Sequence, residues 1–166
     1  MALLVLSVVG SDRPGLTKAL AAAVVKAGGN WLESHLSLLG GLYVGSVLVE
    51  GEADAVRAAV AAIDAQGLDV RVAPAGARAE AAGETLEFSI VGQDRPGIVR
   101  QVTAVVSDLG ANIETFETWL SKESHSGAAL FNMAANVRLP AGLSAARVQT
   151  VLEAISGEIM VDVAVG

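Results

Sequence analysis

A short turn-forming motif, present twice in the chain, decides the predicted fold. Residues 11–16 read Ser-Asp-Arg-Pro-Gly-Leu, and residues 93–98 read Gln-Asp-Arg-Pro-Gly-Ile. Each copy ends an apolar run and precedes a run with helical spacing, and this order predicts a strand followed by a helix. Aspartate at the N-cap and proline in the first helical turn are typical of helix starts, so we expect Asp12 and Asp94 to be N-caps.

The elements around the first motif follow from apolar spacing and from paired glycines. Gly28-Gly29 ends the first helical pattern, and Gly40-Gly41 predicts a two-residue hairpin between two strands. The first strand is almost continuously apolar, which is typical of a strand covered on both faces. The predicted β-α-β-β-α-β elements are, in chain order, Met1–Val9, Pro14–Ala27, Asn30–Leu39, Leu42–Glu50, Glu52–Gln66 and Leu68–Ala73.

The second motif starts the same order again. Asp94 and Asn112 lie 82 positions after Asp12 and Asn30 (94 − 12 and 112 − 30). Residues 121–127 replace the double-glycine turn by a longer polar loop, and a tolerated surface insertion explains this at least as simply as a lid. The later elements are predicted at Ala128–Val137, Ser144–Ile155 with Ser144 as N-cap, and Glu158–Val165.

Together the two copies predict an α+β protein of two ferredoxin-like units. We expect one domain over residues 1–74, a linker rich in Ala and Gly over 75–83, and a second domain over 84–166. Joining the units edge to edge into one eight-stranded antiparallel sheet, with the helices on one face, would remove an exposed edge from each. The helix-free face would then be a large apolar patch, so we expect a second chain to cover it in a homodimer.

Composition excludes several classes of function. The formal net charge is −7, and no basic cluster offers the electrostatic footprint of a nucleic-acid-binding protein. The chain has no cysteine, which excludes disulfides and thiolate metal sites. Leu36–Val49, its longest stretch without charged residues or histidine, is too short to span a bilayer, and no basic region precedes the apolar N-terminus. We expect a cytoplasmic protein that binds neither DNA nor membranes.

No catalytic or metal-binding pattern emerges from the remaining polar residues. His35 lies in a predicted strand and His125 in a predicted loop, and neither is beside a nucleophile motif. Glu50, Glu52 and Asp54 are explained as the acidic start of a helix. The glycines lack the spacing of a dinucleotide-binding loop. We therefore expect no enzyme activity, no cofactor and no metal.

The two helix starts are the candidate binding sites. Unpaired N–H groups at a helix N-terminus attract carboxylates, a nearby aspartate accepts from an α-ammonium group, and asparagine both donates and accepts. A purely structural interpretation stays open, with aspartate as cap and asparagine in the left-handed conformation after a helix. The candidate ligand-binding residues are Asp12, Gly15, Leu16, Asn30, Asp94, Gly97, Ile98 and Asn112.

The doubled Asp-Arg-Pro-Gly motif, followed by Gly-Gly-Asn in one copy and Gly-Ala-Asn in the other, resembles the ACT regulatory domain. The tandem pair is similar to the family of glycine-cleavage-system transcriptional repressors. This resemblance implies a sensor that binds a small amino acid at an interface between ACT domains, with Asp12 sharing a site with Asn112 and Asp94 with Asn30. It also implies signalling through a partner protein, for example in transcriptional control without DNA contact. The alternatives are an interaction module that needs no ligand and a regulatory subunit of a separately encoded enzyme.

Overall fold

The chain folds into two compact units, Met1–Ala77 and Arg78–Gly166. The computed structural model describes residues 1–64, 67–76, 83–155, 157 and 159–165. The predictions for Gln66, Glu158 and most of the linker lie outside these residues. The domain boundaries at 74 and 84 therefore stay a prediction.

The first unit has the predicted β-α-β-β-α-β order. Its strands pair in the order β2-β3-β1-β4, with every pair antiparallel. Both helices belong to the same core cluster as the inward side chains of the sheet. The elements are β1 (Ala2–Ser11), α1 (Leu16–Lys26), β2 (Asn30–Leu39), β3 (Leu42–Gly51), α2 (Ala53–Asp64) and β4 (Leu68–Pro74).

The second unit repeats this topology. Its strands pair in the order β6-β7-β5-β8, again antiparallel throughout. The prediction of two ferredoxin-like α+β units is confirmed, whereas the joining of their sheets into one of eight strands stays a prediction. The elements are β5 (Thr85–Gln93), α3 (Ile98–Asp108), β6 (Asn112–Lys122), β7 (Ala129–Arg138), α4 (Ala145–Glu153) and β8 (Ile159–Val165).

Glycines end the elements where the sequence predicts it. Gly40 and Gly41 have φ angles of 60° and 81°, as a two-residue hairpin turn of type I′ requires. Gly28 takes a φ of 71°, and the N–H of Gly29 donates to the carbonyl of Val24 at 2.9 Å. This Schellman arrangement satisfies the last carbonyls of α1 and turns the chain directly into β2.

Each sheet is covered by helices on one face only. In β1 the alternate residues Leu4, Leu6 and Val8 are buried, while Leu3 and Val9 are each 49% exposed. Both helices pack on the same side of the sheet, as predicted, and the covering of the other face by a second chain stays a prediction. We call the helix-free side of the sheet in the first unit the first open face, and the helix-free side of the sheet in the second unit the second open face.

The core of each unit is aliphatic. In the first unit the helices contribute the predicted stripe residues Leu20, Val24 and Val60, all at most 2% exposed. In the second unit Phe88 is the largest fully buried side chain and packs with Val102 and Leu152. With so few aromatic side chains available, small branched residues fill both cores at close packing.

Gly45 in β3 offers a test of the first sheet. Its φ is 150°, and a Cβ at this position would lie 2.0 Å from the carbonyl oxygen of His35 on β2. The equivalent position in the second unit holds Met133, as the ladder partner of Ile90.

We expect Gly45→Ala to lower the free energy of unfolding of the first unit by about 3 kcal/mol, because both the backbone conformation and the approach of β2 exclude a side chain. Urea denaturation followed by the fluorescence of Trp31, in a Trp119→Phe background, measures this. Gly76→Ala is the control, since nothing lies within 4 Å of a Cβ there. Equal stability of the two variants would contradict the prediction.

Candidate ligand-binding site

The two Asp-Arg-Pro-Gly segments form turns that end just before a helix. Gly15 has φ 92° and ψ 0°, and Gly97 has φ 88° and ψ 0°. These are the angles of the third residue of a type II turn, in which proline is favoured at the second position. In the second unit the N–H of Ile98 donates to the carbonyl of Arg95 at 3.4 Å and closes this turn.

The predicted N-caps are wrong. Gly15 and Gly97 are the N-cap residues of α1 and α3, and no side chain caps either helix. The physical reason is that the Pro-Gly turn comes between each aspartate and its helix, so Asp12 is three positions before the cap. By contrast Ser144 caps α4 as predicted, with its hydroxyl accepting from the N–H of Arg147 at 3.2 Å.

The aspartates consequently have no structural partner within the described residues. Asp12 and Asp94 are exposed, and within these residues their carboxylates accept no hydrogen bond and form no ion pair, although the backbone N–H of Asp94 donates to the carbonyl of Ala129 at 3.2 Å. Beside Asp12, the N–H groups of Leu16, Thr17 and Lys18 also have no partner in the described part of the chain. Each segment therefore presents a carboxylate near backbone donors that are free to bind an anion.

The side chains of Leu16 and Ile98 are not available to these sites, and of their two N–H groups only that of Leu16 is unpaired. Both side chains are 3% exposed and belong to the cores of their units. Gly15 and Gly97 are exposed, and a Cβ on either would meet nothing within 4 Å. The glycines are therefore required for their backbone conformation rather than for space.

The asparagines lie at the other end of each sheet. Asn30 is the first residue of β2 and pairs with Glu50, which itself pairs with Leu3 near the start of β1. The turn follows Ser11, and the strand from Leu3 to Ser11 spans about 27 Å. Asn112 is placed in the same way, opposite Arg138. One unit by itself cannot bring its own aspartate and asparagine onto a small ligand.

The left-handed interpretation of the asparagines is also wrong. All positive φ angles among the described residues belong to glycines, and Gly28 and Gly110 end the helices instead. Asn30 and Asn112 are exposed strand residues. Neither side chain makes a hydrogen bond within the described part of the chain, so both amides are free to donate and accept.

The surroundings of the two turns differ in polarity. The Thr17 hydroxyl in α1 hydrogen-bonds to the Tyr43 hydroxyl in β3 at 2.8 Å. The equivalent residues of the second unit are Val99 and Phe131, which cannot form this bond. Sequence reasoning missed Thr17 and Tyr43, although comparing the repeats at the 82-residue offset reveals the first. The longer loop between β6 and β7 hides the second, because it changes the offset.

The arginines of the two turns differ as well. Arg95 donates to the amide oxygen of Gln101 in α3 at 2.6 Å. Arg13 has no partner within the described residues, because Ala19 occupies the position equivalent to Gln101. The guanidinium group of the first turn is therefore the more available of the two for an anionic ligand or partner.

The described residues contain no arrangement that supports metal binding or catalysis by an imidazole. They contain no cluster of three or more His, Asp or Glu side chains that could hold a metal ion. His35 is 74% exposed and lies 3.2 Å from Glu33, its neighbour on the same strand face. His125 is exposed in the connection between β6 and β7. Within the same residues, no helix is long and apolar enough to cross a membrane.

The first unit matches a known domain family. Residues 2–73, nearly the whole of the first unit, match the family model of the ACT domain. The second unit repeats its topology and its turn, so the chain contains two units of one fold. The predicted resemblance to the ACT family is confirmed.

Solved structures share this tandem arrangement. A protein of unknown function from Galdieria sulphuraria superposes with a TM-score of 0.85 at 29% identity, with 99% of this chain and 98% of that one covered. A structure named "putative glycine cleavage system transcriptional repressor" superposes at 0.67 with 19% identity, with 99% and 97% covered, which shows a common fold. No curated protein sequence matches the chain.

The corrected helix starts predict different costs for two substitutions in the second unit. We expect Ser144→Ala to lower the free energy of unfolding by about 1 kcal/mol, because it removes a real N-cap. Asp94→Ala should change it by less than about 0.5 kcal/mol, because Asp94 caps nothing. Urea denaturation followed by the fluorescence of Trp119, in a Trp31→Phe background, measures both. A larger loss of unfolding free energy for Asp94→Ala would contradict this prediction and indicate that Asp94 caps α3.

Proposed function

We propose that this protein is a non-enzymatic regulatory sensor that binds a small amino acid and signals through a partner protein. The observation that carries the proposal is the pairing, at each turn, of an aspartate with no structural role and unpaired helix N–H groups. These two groups match the two charged ends of an amino acid.

The ligand is held by complementary charge in this proposal. Its α-carboxylate accepts from the N–H groups around Gly15-Leu16 or Gly97-Ile98, where the helix dipole favours an anion. Its α-ammonium group donates to Asp12 or Asp94. An ordinary carboxylic acid or an amine alone would satisfy only half of such a site, so both charges are needed for binding.

The second half of each site comes from another ACT-fold unit. The distance between Asp12 and Asn30 in their own unit excludes a shared small ligand, so each turn needs an asparagine from elsewhere. We propose the pairs Asp12 with Asn112 and Asp94 with Asn30. The ligand then acts by bridging two units, and it favours whichever arrangement brings both halves together.

The two sites have different preferences in this proposal. The Thr17 and Tyr43 hydroxyls are close to the first turn and offer hydrogen bonds to a polar ligand side chain. Val99 and Phe131 offer none near the second turn. A site built with hydrogen-bonding groups discriminates strongly against ligands that cannot use them.

Signalling through a partner fits the charge of the chain. A net charge of −7 disfavours contact with a nucleic-acid backbone. We propose control of transcription through a protein partner in the cytoplasm, with the change in bound ligand altering the affinity for that partner. Regulation of a separately encoded enzyme is the corresponding alternative, and co-purification of a catalytic chain would distinguish it.

Calorimetric titration with the twenty amino acids tests ligand binding. We expect at least one to bind, and we expect its N-acetyl and amide derivatives to bind at least tenfold more weakly, because each lacks one of the two charges. Asp12→Ala and Asn112→Ala should each raise the dissociation constant of the same site at least tenfold. Combining the two substitutions should raise it little further.

Asp108→Ala is the control, since Asp108 is exposed at the far end of α3. No heat from any amino acid at millimolar concentration would contradict the proposal and favour an interaction module that needs no ligand. Additive losses from Asp12→Ala and Asn112→Ala would show instead that these residues belong to separate sites.

A further inference from the structure

We propose that Glu50 is a specificity-determining residue, which makes the start of β2 select an amino acid whose side chain ends in a cation, such as lysine. Glu50 has this role only if a ligand binds at Asn30, so the inference rests on the proposed function. The observation behind it is a reversal of charge beside the two candidate asparagines. Glu50 is the ladder partner of Asn30, whereas Arg138 is the ladder partner of Asn112.

The strand ladders give the two asparagines equivalent positions. Each is the first residue of the outermost strand of its own sheet, and each is followed by a bulge, at Leu32 in β2 and at Glu114 in β6. Ladder partners of antiparallel strands lie on the same side of the sheet, with their Cβ atoms about 5 Å apart. A ligand that the asparagine amide holds is therefore within reach of the partner side chain, Glu50 in one unit and Arg138 in the other.

Arg138 is engaged in an ion pair at the start of β6. Its Nε donates to Oε1 of Glu114 at 2.7 Å, and its Nη2 donates to Oε2 at 3.2 Å. Its Nη1 donates to the carbonyl of Gly83 at 3.1 Å. The side chains of Arg138 and Glu114 are only 22% and 32% exposed. Because this bidentate pair compensates both charges, it gives a ligand at Asn112 no net charge to bind.

The start of β2 lacks both partners of this ion pair. Leu32 occupies the position equivalent to Glu114, and Glu50 occupies the position equivalent to Arg138. Glu50 is half-buried, and within the described residues its carboxylate accepts no hydrogen bond and forms no ion pair. A partly buried carboxylate attracts a cation more strongly than a fully solvated one, because less water screens the interaction.

The other charged groups near the two asparagines keep this difference. Glu33 follows the bulge of β2 and lies 3.2 Å from His35, and its carboxylate adds negative charge to the start of β2. Its equivalent in β6 is Thr115, whose hydroxyl accepts from the amide of Asn136 at 2.8 Å. Glu87 shares a row with these two residues, but it lies on β5, two strands away from β6.

Exposed leucines beside Glu50 suit the carbon chain of such a ligand. Leu3, the ladder partner of Glu50 on β1, is 49% exposed, and Leu32 in the bulge is 45% exposed. The equivalent residues of the second unit, Thr85 and Glu114, are polar. A lysine side chain covers apolar surface with its methylene groups while its ammonium group reaches a carboxylate. The start of β2 therefore offers a contact to each part of that side chain.

Calorimetric titration with lysine and norleucine tests the proposal, because norleucine has the same carbon chain without the side-chain ammonium group. Asn112→Ala leaves only the site at Asn30, and we expect this protein to bind lysine at least tenfold more tightly than norleucine. Adding Glu50→Gln should bring the two dissociation constants to within about threefold, because it removes the charge and keeps the shape of the side chain. Asn30→Ala leaves only the site at Asn112, where we expect no preference beyond about threefold.

Glu52→Gln, also in the Asn112→Ala protein, is the matched control. Glu52 lies two residues after Glu50, and its carboxylate is bound to the ammonium group of Met1 at 3.2 Å. This variant changes the net charge equally and should keep the preference for lysine. Combining Leu32→Glu with Glu50→Arg copies the ion pair of the second unit and should abolish the preference.

Equal affinity of the Asn112→Ala protein for lysine and norleucine would overturn the inference. So would a preference that Glu50→Gln leaves unchanged, and so would loss of both ligands in Glu50→Gln, since that result would assign Glu50 a structural role. Loss of all amino-acid binding in the Asn112→Ala protein, while the wild type still binds, would also overturn it. Each of these results leaves the sensor function standing, whereas a wild type that binds no amino acid would overturn both.

Discussion

In each repeat, one glycine with a positive φ angle, Gly15 or Gly97, is the constraint on which the packing of helix on sheet within that unit depends. Proline fixes its own φ, and the following glycine takes a conformation that other residues rarely adopt. Together they turn the chain between β1 and α1, and between β5 and α3, so that each helix begins over its own sheet. The residues after the glycine, Leu16 and Ile98, then fall directly into the core.

This turn also separates structural from chemical roles in the motif. Because proline and glycine make the turn and glycine is the cap, the aspartate contributes nothing to the helix start. A charged side chain that the fold does not use, beside backbone donors that the fold leaves unpaired, is the strongest reason to regard the motif as a binding element. Capping, which explained either copy from sequence alone, no longer explains them.

The two repeats share their topology but differ in surface chemistry. The Thr17–Tyr43 hydrogen bond near one turn is replaced by apolar residues near the other. Arg71 on one open face is replaced by Asp162 on the other. Differences of this kind leave the cores intact and give the two units chemically different surfaces.

The sequence by itself determined the order of elements, the hairpin at Gly40-Gly41, the cap at Ser144 and the core stripes, because glycine conformation and apolar periodicity are local properties. Only the tertiary structure decided where the helices begin, since several residues compete to cap them. It alone showed that Asn30 lies far from Asp12 and that Asn112 is placed in the same way in its own unit. These last facts depend on strand order and register, which arise from pairing between distant segments.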